Sequence, residues 1–129
     1  MGPEGRTDDG SAVVEFALVS ALLVALFLAV LQVGVALFVR NTLVAAAAEG
    51  ARFASAAGRS PADGAIRAKE VIVASLPRAY AASVTARYEN LAGLRTVVVQ
   101  VRAPMPLLGL VGPVGDLVVS GHCVAEGLP

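Results

Sequence analysis

Residues 9–16 read Asp9-Gly10-Ser11-Ala12-Val13-Val14-Glu15-Phe16, and an apolar run follows them as far as Val39. From Phe16 to Val39 the chain has 24 residues without a formal charge, and only Ser20 and Gln32 bring polar side chains into this run. As an α-helix the run would be about 36 Å long, which is enough to cross a hydrocarbon core of about 30 Å. The sequence therefore predicts one membrane-spanning helix. The Glu15 carboxylate lies at its rim, where burying an acid without a partner is costly.

The composition limits what the rest of the chain can be. The chain has 129 residues, 57% of them hydrophobic, and a mean hydropathy of +0.75, most of which the apolar run explains. The segment after Arg40 is long enough for one small domain and too short for two. Beyond Val39 there are nine basic and six acidic residues with no basic block, so we expect no nucleic-acid partner. With Cys123 as the only cysteine, no disulfide can form within the chain.

One side of the predicted membrane helix carries small residues. At 100° per residue they fall within a sector of about 80°, and with the one glutamine among them they are Ala21, Ala25, Ala29, Gln32 and Ala36. The opposite side is rich in leucine. A stripe of small residues allows another helix to approach closely, and a glutamine there can form a hydrogen bond across the contact. We interpret this stripe as a helix packing face; the alternative is a chance spacing in an alanine-rich chain.

The helical pattern extends past the apolar run. Strong helix formers continue from Arg40 to Ala57, so one helix is expected from near Ala12 to Ala57, with Gly58 as its stop. A second helix is predicted to begin at Pro61, with Ser60 as its N-cap, and to end before Pro77.

Beyond the second helix the hydrophobic period changes to two. Residues 84–89 and 97–102 alternate in polarity around a turn at 90–93, which predicts a β-hairpin. Residues 104–115 form an apolar loop rich in proline and glycine, either a contact surface or a packed connection, and Leu117–Glu126 is predicted to be a third strand. The predicted class is α+β: a long N-terminal transmembrane helix extends into a small domain with a second helix and a three-stranded antiparallel sheet.

Residues 1–10 are polar, with three glycines and a proline, and are expected to be unstructured or removable. The sequence thus divides into a leader at 1–10, a membrane and assembly helix at 11–39 and a domain at 40–129. An alternative is a secreted domain cut near the small residues Ala45–Ala48, although that site would lie well past the end of an over-long apolar run.

At this point the residues resemble a known family. A glycine followed by four small or apolar residues, then Glu15-Phe16 and a hydrophobic helix, is similar to the processing site of type IV prepilins. More narrowly, Gly10-Ser11-Ala12-Val13-Val14-Glu15-Phe16-Ala17-Leu18-Val19 resembles the start of TadE-like pseudopilins of the tight-adherence (Flp) pilus system. The resemblance is close over residues 10–57 and looser from 58 to 129.

The resemblance implies a function. A membrane-embedded prepilin peptidase would cut between Gly10 and Ser11, and Glu15 and Phe16 would serve recognition and assembly. The chain would be a minor pilin or pseudopilin in the cytoplasmic membrane, with a cytoplasmic leader and an extracytoplasmic domain. Its partners would be the peptidase, other pilins or pseudopilins, the membrane assembly platform and the lipid bilayer.

Two features depart from the family pattern. The leader has Arg6 against Glu4, Asp8 and Asp9, whereas family leaders are commonly basic. The positive-inside rule, applied alone to the arginines after the span, would place the leader outside. In addition, Gln32 stands where such helices often carry a second acid.

Nothing in the sequence favours an enzyme. His122 and Cys123 are the only histidine and cysteine, and adjacent side chains on a strand point to opposite faces, so they are not expected to form a dyad. We predict an exposed His122, a packed Cys123, no metal site and no cofactor. The main alternative to a pilin is an unprocessed single-pass membrane protein with an extracytoplasmic binding domain.

Overall fold

The computed structural model describes residues 4–104 and 116–126, with side chains from Asp9 onward, so residues 105–115 of the predicted apolar loop lie outside the described residues. Helix α1 spans Glu4–Ser55 and α2 spans Pro61–Ser75. A 3₁₀ turn at Arg78–Ala81 leads into three strands, β1 at Ser83–Leu91, β2 at Leu94–Pro104 and β3 at Asp116–Val124. The predicted α+β class, with one long apolar helix, a second helix and three strands, is confirmed.

The start of α1 corrects one prediction. The helix begins at Glu4, so residues 4–10 are helical and not unstructured as expected. Glycine in a helix costs about 1 kcal/mol relative to alanine but does not forbid it. The strongly helical run that follows therefore continues backward through Gly10.

The chain divides into two compact units, Met1–Gly34 and Val35–Pro129, and α1 contributes to both. The sequence placed the boundary between the membrane helix and the domain slightly later, between residues 39 and 40. In the second unit Val35 and Ala36 are partly buried and Val39 is buried. The last residues of the apolar run are therefore already part of the domain.

The sheet is antiparallel in the order β1-β2-β3. At its centre Val99 of β2 lies opposite Ala86 of β1 and Gly121 of β3. The hairpin between β1 and β2 closes through Ala92 and Gly93, whose φ values of 54° and 82° are those of a tight two-residue turn. The predicted hairpin and third strand are confirmed, and the pairing register places alternate residues of all three strands on one face.

The core of the second unit lies between that face and the helices. It contains Val97, Val99 and Val101 of β2, and Leu43 of α1 and Ile72 of α2 are fully buried with them. The part of α1 in this unit contributes mostly small residues to the core: Ala46, Ala47, Ala51 and Ala54. Alanine brings the helix backbone close to its neighbours but buries little apolar area, so this core relies on close approach of main chains.

Helices α1 and α2 approach each other closely at two glycines. A Cβ on Gly50 would lie 2.5 Å from the carbonyl oxygen of Gly64 and 2.9 Å from the Ala68 Cβ, and a Cβ on Gly64 would lie 2.7 Å from the Ala54 Cβ. Neither site has room for a side chain. Gly50, which appears in the sequence only as a weak point of the helix, is therefore the point at which the second helix packs on the first.

Strand β3 meets α1 in the same way. A Cβ placed on Gly121 would overlap the main chain of Ala47 and Ala48. An isolated glycine within a strand often marks such a close backbone approach. Gly121 thus sets how closely the sheet lies against α1.

The start of α2 carries a complete capping box. The Ser60 N–H donates to the Asp63 carboxylate at 2.8 Å, and the Asp63 N–H donates to the Ser60 hydroxyl at 3.4 Å. Pro61 occupies the first turn, where its missing N–H has no partner to lose. The N-cap predicted from the sequence is confirmed.

Replacing Ser60 with alanine should destabilise the second unit by about 1 kcal/mol, because one N–H donor in the first turn of α2 loses its acceptor. For a domain of this size that corresponds to a decrease in melting temperature of about 4–8 °C. Thermal unfolding of the full chain in detergent micelles would measure it. Ser75→Ala, at the exposed end of α2, is the control; equal melting temperatures for the two variants would contradict a stabilising cap.

Candidate assembly helix and processing site

The residues of the predicted processing site all lie on α1 and are all exposed. Gly10 and Ser11 form part of its first turns, and Phe16 is 75% exposed. A side chain added to Gly10 would meet no atom within 4 Å. Ser11 and Glu15 are four residues apart, so they lie on the same face of the helix, one turn from each other. An amino group created at Ser11 would therefore lie within reach of the Glu15 carboxylate.

The Glu15 carboxylate is exposed and, within the part of the chain that the structure describes, makes no ion pair. An exposed acid next to an apolar helix is tolerable in water but costly at a membrane rim. A cationic partner, supplied by another molecule or by a new N-terminus, would therefore lower the cost of placing Glu15 at a membrane rim.

The first unit exposes nearly all of its large apolar side chains. These residues are between 44% and 75% exposed: Val13, Val14, Phe16, Leu18, Val19, Leu22, Leu23, Val24, Leu26, Phe27, Leu28, Val30, Leu31 and Val33. Around this segment α1 is long and apolar enough to cross a membrane, with a mean hydropathy of 2.8 and only 6% of its most apolar window buried. An apolar surface of this extent is typical of a segment covered by lipid or by other helices.

The predicted packing face is exposed at three of its five residues. Ala21, Ala25 and Ala29 are exposed, whereas Gln32 and Ala36 are partly buried. The role of this stripe in helix packing stays a prediction.

The C-terminal histidine and cysteine do not form a reactive pair. His122 is exposed, and Cys123 is partly buried against the core on the opposite side of β3. No group of three or more potential metal ligands occurs among residues 9–104 and 116–126. The surfaces and side chains described above are suited to packing and binding.

Sequence reasoning missed the glycine contacts and a set of stacked arginines near the end of α1. Arg59 stacks on Phe53 and Arg95 stacks on Tyr88. For the glycine contacts, the available signal in the sequence was the isolated glycine within the pattern of β3. Arg95 and Tyr88 lie on opposite sides of the hairpin turn, and no pattern in the sequence indicates that their side chains stack.

Comparison with known proteins addresses the N-terminal segment. No curated protein and no solved structure matches the chain significantly. The family of TadE-like proteins matches residues 10–52, about a third of the chain, and this range begins at Gly10 and includes Glu15 and the whole exposed apolar segment. Through this segment, which holds the motif and the apolar helix, the chain is similar to TadE-like proteins.

Proposed function

We propose that the protein is a minor pilin or pseudopilin that a prepilin peptidase cuts between Gly10 and Ser11 and that takes part in assembling a Flp-type pilus. The observation that carries the proposal is the match to TadE-like proteins, which starts at the glycine of the motif and continues through the exposed apolar helix. The TadE-like family is not an enzyme family. The protein acts by packing: α1 offers its apolar surface to lipid and to other pilins, and the second unit offers binding surfaces.

Cleavage would change the electrostatics at the start of α1. It creates an α-amino group at Ser11, one turn before Glu15, and this group can pair with Glu15 of the same chain or of a neighbouring subunit. Opposite charges about 4 Å apart attract by on the order of 4 kcal/mol at an intermediate effective dielectric, before desolvation. Because Glu15 has no ion-pair partner among the described residues, this attraction favours assembly of the processed chain.

The proposed topology places the leader in the cytoplasm and the second unit outside. Export of that unit is compatible with its composition, because the single cysteine requires no disulfide partner within the chain. The arginines after the span favour the opposite orientation on charge alone. The family mechanism, in which the peptidase cuts at the cytoplasmic face, supports the first orientation.

A single-pass membrane protein that keeps its leader is the alternative function. It would use the same helix as an anchor and the second unit as a binding domain. The third possibility, a soluble domain cut near Ala48, is disfavoured by the core. Val39, Leu43, Ala46 and Ala47 are buried against the sheet, so a cut at that position would remove them from the domain.

The N-terminal residue of the protein purified from its native membrane tests the proposal. We expect intact mass and N-terminal peptide sequencing to give a chain that begins at Ser11. A Gly10→Val variant should keep its full leader, because a branched side chain next to the cut bond hinders the extended backbone that a protease cleft requires.

Gly34→Val is the matched control, since Gly34 lies in the same helix and an added side chain there also meets no atom within 4 Å. The control should still be cut at Ser11. A wild-type chain that retains residues 1–10 in a membrane containing the peptidase would contradict processing and leave the unprocessed anchor.

A further inference from the structure

A groove lies in the second unit where the end of α1, the hairpin turn and the end of β3 meet. One wall consists of residues 54–59, the second of Tyr88 and residues 93–95, and the third of residues 124–126. We call it the tip groove. Its volume of about 440 Å³ is within the range of pockets that hold small ligands or a few peptide side chains.

Two arginines on different walls of the tip groove are held in place by aromatic rings. The guanidinium carbon of Arg59 lies 3.6 Å from the centroid of the Phe53 ring, and that of Arg95 lies 3.8 Å from the centroid of the Tyr88 ring. Arg59 also donates to the Phe53 carbonyl at 3.4 Å, and the Tyr88 hydroxyl donates to the Arg59 carbonyl at 3.5 Å. The stacking orients both guanidinium groups, and the bond to the Phe53 carbonyl holds that of Arg59, while no carboxylate among the described residues pairs with either.

Ion pairing distinguishes these two arginines from three others in the unit. Arg52, Arg67 and Arg87 each form an ion pair with a glutamate at 3.0 to 3.7 Å. Within residues 9–104 and 116–126, neither Arg59 nor Arg95 forms one, although the Glu126 residue lies in the groove lining. A guanidinium group that is already oriented loses less entropy when it binds a carboxylate. The groove is thus prepared for an anionic occupant.

We propose that the tip groove binds an acidic peptide segment of a partner protein, with carboxylates of that segment on Arg59 and Arg95. A planar guanidinium group donates two parallel hydrogen bonds to the two oxygens of a carboxylate. Leu94 and Val124, 53% and 49% exposed at the groove, offer apolar contacts for the aliphatic side chains beside the acids. Binding at the groove requires neither cleavage after Gly10 nor entry into a fibre.

The position of the groove favours a protein over a lipid. Arg40 is the first charged residue after the apolar run, and the end of α1 at Ser55 lies about 22 Å further along the helix axis at 1.5 Å per residue. Lipid phosphates would lie at the level where the apolar run ends. A carboxylate on a neighbouring protein domain is not confined to the level of the lipid phosphates and can therefore reach the groove.

The test uses the full chain, ¹⁵N-labelled in detergent micelles. The probe is the peptide acetyl-Gly-Leu-Glu-Asp-Gly-amide, and its neutral counterpart has Gln and Asn in place of the two acids. We expect the acidic probe to shift the backbone amides of residues 93–95 and 125–126 in a saturable way. Arg59→Gln and Arg95→Gln should each weaken binding about tenfold, as expected for the loss of one charge-assisted pair.

Arg102→Gln is the matched control, because Arg102 is exposed, forms no ion pair among the described residues and does not line the groove. It should bind the probe like the wild type. Unchanged amide shifts at residues 97–101 would show that each variant remains folded. Equal binding of the neutral peptide, or equal weakening by Arg102→Gln, would overturn the proposal. So would a response at these amides only to phosphatidylglycerol in nanodiscs, which would assign the groove to lipid.

Discussion

Replacing Gly121 with valine should unfold the second unit or leave it without a fixed core. The added Cβ would overlap the main chain of α1 at Ala47 and Ala48, and a helix backbone cannot move aside as a flexible side chain can. Overpacking a well-packed core costs about 1–3 kcal/mol and occasionally more. Because the overlap here is with helix backbone, we expect a cost at the upper end of this range. A small domain has a free energy of unfolding of only about 5–15 kcal/mol.

Hydrogen exchange of the full chain in micelles would measure this effect. The amides of β2 from Val97 to Val101 lie at the centre of the sheet and are paired on both sides, so they should be the best protected in the wild type. In Gly121→Val they should exchange faster by about a hundredfold or more, which corresponds to about 3 kcal/mol.

Ser120→Val is the control for this variant. Ser120 is adjacent on β3, is exposed, and points away from α1. Valine there adds volume outside the core and suits a strand, so protection should be unchanged or increased. Protection of Val97–Val101 that is equal in Gly121→Val and in the wild type would contradict a packing role for Gly121.

Local signals in the sequence predicted the elements of the second unit well. Ser60, Pro61 and Asp63 form the predicted cap of α2, because a capping box depends only on residues a few positions apart. The hairpin was predicted near residues 90–93, but its closure at Ala92-Gly93 was not. Asn90 is the more usual turn former, and the register is decided by which valines face the helices.

The contacts between elements could not be predicted from such signals. Gly50, Gly64 and Gly121 are single glycines far apart in the sequence, and their common role appears only when α1, α2 and β3 are packed together. The sequence shows that a helix or strand contains a glycine and what that costs locally. It does not show which neighbouring main chain occupies the free space.

The residues of the predicted processing site, in contrast to the contacts between elements, can be identified in the sequence. Gly10, Ser11 and Glu15 are predicted from the resemblance of residues 10–19 to the start of TadE-like pseudopilins, and the structure adds that they are exposed on one continuous helix. The helical state of residues 4–10 was missed because glycines and charges were taken as signs of disorder, although the adjoining helix propagates through them.

Replacing Glu15 with glutamine should weaken assembly while leaving the protein in the membrane. Glutamine keeps the size and the hydrogen-bonding capacity of the side chain but cannot attract the proposed α-amino group at Ser11. Since that attraction is on the order of 4 kcal/mol before desolvation, and 1.4 kcal/mol is a factor of ten, we expect association with other pilins to fall by about tenfold or more. Cross-linking in native membranes, followed by quantification of the cross-linked pilins, would measure it.

Two further variants separate charge from other effects at Glu15. Glu15→Asp retains the carboxylate on a shorter side chain and should keep part of the association. Glu70→Gln removes an exposed carboxylate that forms an ion pair with Arg67 on α2, and because a surface pair contributes about 0–1 kcal/mol, it should leave association unchanged. If Glu15→Gln cross-links as efficiently as the wild type, the charge is not what brings subunits together. The apolar surface of α1 would then have to drive assembly alone, and Glu15 would serve only to mark one end of the apolar segment.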